Sequence, residues 1–159
     1  MYTGYFERQQ AAHCGLHALN NAIGFDFLTT EDMTTACDVF LDEMAMELSP
    51  EERCDHELPT GWYSEAVMAQ ALRVKDNIYR LNLDDPVQPA EEQVMRIFGD
   101  NVLGMTVNVE QRHWVAVRIA DGRLWLLDSE QAPVQLSVLQ LLDYVATYRH
   151  AFLVELIAQ

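Results

Sequence analysis

Gln9-Gln10-Ala11-Ala12-His13-Cys14-Gly15-Leu16-His17-Ala18-Leu19-Asn20-Asn21-Ala22-Ile23-Gly24 is the stretch around which the chain is organised. Leu16, Leu19, Ala22 and Ile23 recur at helical spacing, and Gly24 stands where a helix C-cap glycine would. That reading places Cys14 in, or just before, the first helical turn. Backbone N–H groups there lack intrahelical partners, and the positive end of the helix dipole is close. Both favour thiolate over thiol, which makes Cys14 a candidate nucleophile. Gln9, five residues upstream, is placed to return its side-chain amide to the same point as an oxyanion donor. Taken alone, such a cysteine is more often a small buried hydrophobe. The assignment therefore needs partners elsewhere in the chain.

The 159 residues are one domain's worth, long enough to bury a real core, so residues 1–159 are read as a single domain. A 50% hydrophobic and 22% charged composition is that of a globular chain. No apolar run approaches the roughly 20 residues that span a bilayer, and the start of the chain lacks the basic and apolar regions of a signal peptide. Three cysteines (Cys14, Cys37, Cys54) cannot all pair and show no metal spacing. Cys54-Asp55-His56 is a two-ligand fragment without a second half. No metal or cofactor is expected, and a reducing compartment follows: the cytoplasm, with the nucleus or delivery into a host cell left open. A net charge of −15 argues against binding a nucleic-acid backbone. It suits either a basic partner surface or a well-solvated acidic one. Lys75 is the sole lysine among ten basic residues. Arginine-rich codon usage explains that most simply, and shielding from conjugation at lysine is the sharper alternative.

Downstream of the Cys14 helix, Leu28-Thr29-Thr30-Glu31-Asp32 offers N-cap chemistry. Met33, Cys37, Phe40, Leu41 and Met44 then mark an amphipathic helix. Ser49-Pro50-Glu51-Glu52 starts another, so residues 31–57 are expected to form a helical hairpin. Ser64 caps a helix carrying Val67, Met68, Ala71 and Leu72. Residues 77–83 alternate as a strand. Pro89-Ala90-Glu91-Glu92 opens a short helix with Val94, Ile97 and Phe98 inward. Residues 102–109, 113–119 and 124–127 are apolar strands, with Asp121-Gly122 as a hairpin turn. Ser137 caps a last helix, and residues 151–157 close the sheet. The expected class is α+β: an N-terminal helical part with a helical hairpin, packed on a mostly antiparallel sheet.

His113 opens a strand, and Asp128 lies near the end of the next strand of the same hairpin. With Asp121-Gly122 as the turn, Asp128 falls opposite Val115, and a fray or bulge of one pair brings it beside His113. The chemistry calls for this set. A Cys thiolate attacks a carbonyl, His holds the thiolate and later protonates the leaving amine, and a carboxylate fixes the imidazole tautomer. Separately, His113 and Asp128 are ordinary strand-end residues. Their conjunction with Cys14 and Gln9 is much rarer.

Together these residues resemble the Josephin family. Gln9, Cys14, His17 and Leu19-Asn20-Asn21 look like its signature, Gln-x4-Cys-x2-His-x-Leu-Asn-Asn. Gly61-Trp62-Tyr63-Ser64, with Val67 and Ala71-Leu72 after it, is similar to the family segment that follows the helical hairpin. His113-Trp114 with Val115, Val117 and Arg118 resembles its His-Trp strand, and Leu127-Asp128-Ser129 its strand end. The resemblance spans essentially the whole chain. It implies a papain-like fold and cysteine-type deubiquitinase activity, cleaving (iso)peptide bonds after the ubiquitin C-terminal glycine. It assigns Cys14 as nucleophile, His113 as base and acid, Asp128 as orienter of His113 and Gln9 as oxyanion donor. It makes residues 31–57 a substrate-gating element and His17 and Asn20 structural. The implied partners are ubiquitin or ubiquitinated proteins, met by a monomer, without nucleic acid or membrane. The rival enzyme is a papain-like leader peptidase of the double-glycine type, whose Gln lies one residue further upstream and which lacks Leu-Asn-Asn. The non-enzymatic rival, an idle ubiquitin-binding module, should have lost a member of the quartet, and none is lost.

Overall fold

In the computed structural model, which describes residues 2–8, 14–43, 63–83, 90–109 and 113–157, helix α1 runs Cys14–Ile23 and every one of its residues is buried. A one-faced helix is what Leu16, Leu19, Ala22 and Ile23 alone would predict. The difference is tertiary. A Cβ on Gly15 would stand 3.4 Å from Met68 Sδ and 3.6 Å from Trp114 Cδ1, so α1 lies between a helix on one side and the sheet on the other. Gly24 closes α1 at φ 104°, donating its N–H to Asn20 O at 2.8 Å, the left-handed cap that only glycine adopts freely.

Helix α2 (Thr30–Glu43) begins with a reciprocal cap. Asp32 N–H donates to Thr29 Oγ1 at 3.1 Å, and Thr29 N–H donates to Asp32 Oδ2 at 2.8 Å. Its Met33, Ala36 and Cys37 are buried in the same core as α1, and Phe40 and Leu41 pack against that core. Helix α3 (Glu65–Lys75) is capped by Ser64, as expected. Lys75 Nζ, 2.9 Å from Asp32 Oδ2, ties its end to α2. Met44 and the second arm of the expected hairpin lie outside the described residues.

Six strands follow in the order β1-β6-β2-β3-β4-β5, every neighbour antiparallel. They are β1 (Tyr79–Leu81), β2 (Val102–Val109), β3 (His113–Ala120), β4 (Arg123–Leu127), β5 (Val134–Leu136) and β6 (Ala151–Leu156). One face carries α1 to α3. The other carries α4 (Ala90–Arg96) and α5 (Val138–Tyr148), the latter starting with a full capping box from Ser137 and Gln140. In β3, Trp114 and Ala116 join the α1 core while Val115 and Val117 join the core under α5. Cover on both faces is why that strand reads as a continuous apolar run. The α+β class stands, with a second helical layer added. β1 is shorter than residues 77–83, and β5 carries too few residues to show a period. Phe98 is 47% exposed rather than inward, whereas Val94 and Ile97 are buried.

Asp121 and Gly122 sit at φ 53° and 75°, the paired positive values of a type I′ turn. The β3–β4 ladder then runs from Ala120↔Arg123 to Ala116↔Leu127, the register that the turn dictates. Glu155 is 2% exposed yet ionically satisfied: Arg80 Nε and Arg96 Nη2 each lie 3.1 Å from its carboxylate, joining β1, β6 and α4.

Gly104 on β2 lies directly against the last turn of α1. A Cβ there would meet Ala22 O at 2.6 Å and Val117 O at 2.8 Å, both backbone atoms that cannot swing aside. Gly104→Ala is expected to cost about 2–3 kcal/mol by overpacking. It should also lower Cys14 reactivity, because α1 must lift. Urea unfolding of the variant checks the first effect, and wild-type stability would refute it.

Candidate active site

Three elements converge on one point. Cys14 is the first residue of α1 and is 3% exposed. His113 is the first residue of β3, and its neighbour Trp114 is locked by donating Nε1–H to Tyr63 O at 2.9 Å. Asp128 follows the last residue of β4, where the ladder has ended, so its carboxylate is released from the pleat. The fray expected at the strand end is what brings it to His113: Nε2 and Asp128 Oδ1 are 2.8 Å apart. A tight turn holds the carboxylate. Glu130 N–H donates to the same Oδ1 at 3.0 Å, and Gln131 N–H donates to Asp128 O at 2.9 Å.

His113 also hydrogen-bonds the Cys14 thiol. With Nε2 committed to Asp128, Nδ1 is the nitrogen available to sulfur. The Cys14 hydrogen bond is the largest influence on the imidazole. With the hydrogen bond and charge of Asp128 it outweighs burial and lifts the His113 pKa to about 9. His113 thus holds its proton beside Cys14 above neutral pH. This arrangement can attack a carbonyl and then deliver a proton to the leaving group.

Sequence reasoning brings together Cys14, His113 and Asp128, and the structure juxtaposes all three. Gln9 lies outside the described residues. Two carboxylates near this machinery were not anticipated. Glu130 Oε2 stands 3.8 Å from His113 Nε2, and its signal was an acid two residues beyond Asp128. Glu7 binds His17 and Asn20, and its signal was that it is the one acid before Cys14. Among the described residues, His113, Asp128 and Glu130 form the one group of potential metal ligands whose donor atoms lie within 4.8 Å of one another. Their contacts are those of an imidazole and its orienting carboxylates.

A thiol at a helix start, an imidazole at a strand start and a carboxylate at the adjoining strand end, on an α+β body, define the papain-like architecture of cysteine proteases. The Josephin family model matches residues 9–154, and the chain belongs to the Josephin family, cysteine proteases of deubiquitinase type. It is similar to human Josephin-2, with 29% identity over 144 residues, covering 80% of this chain and 69% of the relative. Mouse Josephin-2 is 29% identical over 142 residues, covering 79% and 68% respectively.

The raised His113 pKa has a signed consequence. Above about pH 9 the imidazolium loses its proton and the general acid is lost, so kcat/KM should hold to that pH and then fall. Asp128→Asn removes the negative charge and one raising influence, and should move the alkaline limb to lower pH. A pH–rate profile measures both. An unmoved limb in Asp128→Asn would contradict the electrostatic role given to Asp128.

Proposed function

We propose that the chain is a cysteine-type deubiquitinase that hydrolyses (iso)peptide bonds after the C-terminal glycine of ubiquitin. The observation that carries this reading is His113 held between the Cys14 thiol and the Asp128 carboxylate in a chain of the Josephin family. Cys14 Sγ attacks the glycine carbonyl carbon, and the C=O electron pair moves onto oxygen, where the Gln9 amide donates a hydrogen bond. The tetrahedral species collapses, the C–N bond breaks, and His113 gives its proton to the departing amine. The resulting thioester is opened by water, whose proton His113 takes as general base. The C–S bond then breaks and the thiolate–imidazolium pair is restored. Asp128 keeps the imidazole oriented throughout.

Residues 1–159 act in this reading as a single catalytic domain and a monomer, in a reducing compartment such as the cytoplasm. Among the described residues no helix is long and apolar enough to cross a membrane. The net charge of −15 favours a basic protein surface over nucleic acid as partner.

Hydrolysis of a fluorogenic ubiquitin conjugate tests the proposal. Cys14→Ala should abolish turnover with the fold intact, His113→Ala should be nearly as damaging, and Asp128→Ala should cost less than either. Gln9→Ala should lower kcat by about 10²–10³-fold with little change in KM, as for loss of one oxyanion donor. Cleavage of a double-glycine leader peptide but not of ubiquitin conjugates would favour the leader peptidase. Ubiquitin binding without turnover would favour the idle module. Undiminished activity in Cys14→Ala would overturn the assignment.

A further inference from the structure

We propose that Glu130 is a second positioning residue of the site: its carboxylate shares His113 Nε2 with Asp128 and keeps the imidazole aimed at Cys14 when the Asp128 bond opens. This rests on the catalytic reading of Cys14 and His113 above. The turn after β4 offers two carboxylates to one ring nitrogen. Asp128 Oδ1 lies 2.8 Å from His113 Nε2, and Glu130 Oε2 lies 3.8 Å from the same atom. The donor atoms of all three side chains fall within 4.8 Å of one another.

Two carboxylates held that close repel each other, in a chain that already carries a net charge of −15. A cation within reach of both turns the repulsion into attraction, and the His113 imidazolium, which keeps its proton to about pH 9, stands there. The two acids are not equivalent. Asp128 is 17% exposed and hydrogen-bonds the ring directly, so it dominates. Glu130 is 56% exposed, and water screens its charge over the longer distance. Closing its gap from 3.8 Å to the 2.8 Å of the Asp128 bond takes a movement of about 1 Å. Exposed side chains change rotamer in picoseconds to nanoseconds, far faster than a turnover, so Glu130 can follow the ring within a single catalytic cycle.

The main chain joins the two acids as well. Glu130 N–H donates at 3.0 Å to Asp128 Oδ1, the oxygen that meets His113, and Gln131 N–H donates to Asp128 O at 2.9 Å. A turn closed by an aspartate side chain in this way fixes where residue 130 leaves the backbone. Glutamate is one methylene longer than aspartate, which lets Glu130 approach Nε2 from two residues further along the chain. One short turn thus sets both the oxygen that orients the imidazole and the oxygen that stands behind it.

A double-mutant cycle separates positioning from a plain surface charge. On the fluorogenic ubiquitin conjugate, Glu130→Gln should change kcat by less than about twofold while Asp128 is present, since an exposed ion pair adds little to a direct bond. In an Asp128→Asn background, which keeps an oxygen for Glu130 N–H and so keeps the turn, the same substitution should lower kcat by a further factor of about ten with KM little changed. A surface charge acting independently has the same effect in both backgrounds. That result, or an effect confined to KM, would overturn the proposal. A second arm needs no substrate. NMR titration of the His113 ring should give nearly the wild-type midpoint in Glu130→Gln, a lower one in Asp128→Asn, and a lower one again in the double variant. A double variant that titrates together with Asp128→Asn would also overturn it. If wild type leaves ubiquitin conjugates intact, the enzymatic reading fails while this titration still decides whether Glu130 holds His113.

Discussion

Helix α1 has no solvent-facing side, and that constraint governs everything around it. The helix is held between Met68 of α3 and Trp114 of β3, with Gly104 letting its last turn touch the backbone of β2. It cannot rotate or slide without opening a gap or driving backbone into backbone. Cys14 therefore inherits a fixed position at the helix start. Polar side chains on a helix buried all round would ordinarily be costly, yet His17, Asn20 and Asn21 find partners in Glu7 and Leu28. The same contacts that satisfy the helix thus fasten Glu7 to α1.

The other half of the site depends on a turn of two residues. Asp121-Gly122 adopts the paired positive φ values of a type I′ hairpin, which sets the register of β3 against β4. That register runs out at Leu127, and the next residue is free to point its carboxylate at His113. A slip of one residue would send Asp128 to the other face. Turn chemistry at one end of a hairpin thus decides proton chemistry at the other.

The features legible in the sequence are those decided by neighbours along the chain. The Gly24 cap, the Ser64 and Ser137 caps, the Asp121-Gly122 turn and the period of α2 each need only a few adjacent residues, and each reads true. The burial of α1 on every side was not legible, because it is created by α3 and β3, far away in sequence. Neither was the layer of α4 and α5, whose short apolar stripes do not say which face of a sheet they will cover. Phe98 shows the same limit: its spacing matches Val94 and Ile97, but the helix ends at Arg96 and the ring turns outward. Cys14, His113 and Asp128 could be found because their chemistry requires them as a set. Glu130 and Glu7 carry no such demand, and only distances reveal them.

The most direct test is to react the protein with ubiquitin bearing a C-terminal thiol-reactive electrophile and to locate the adduct by peptide mapping. If the start of α1 and His113 together create the nucleophile, one adduct forms, on Cys14, and His113→Ala slows its formation sharply. An adduct on Cys37 or Cys54, or formation at the same rate without His113, would contradict that claim.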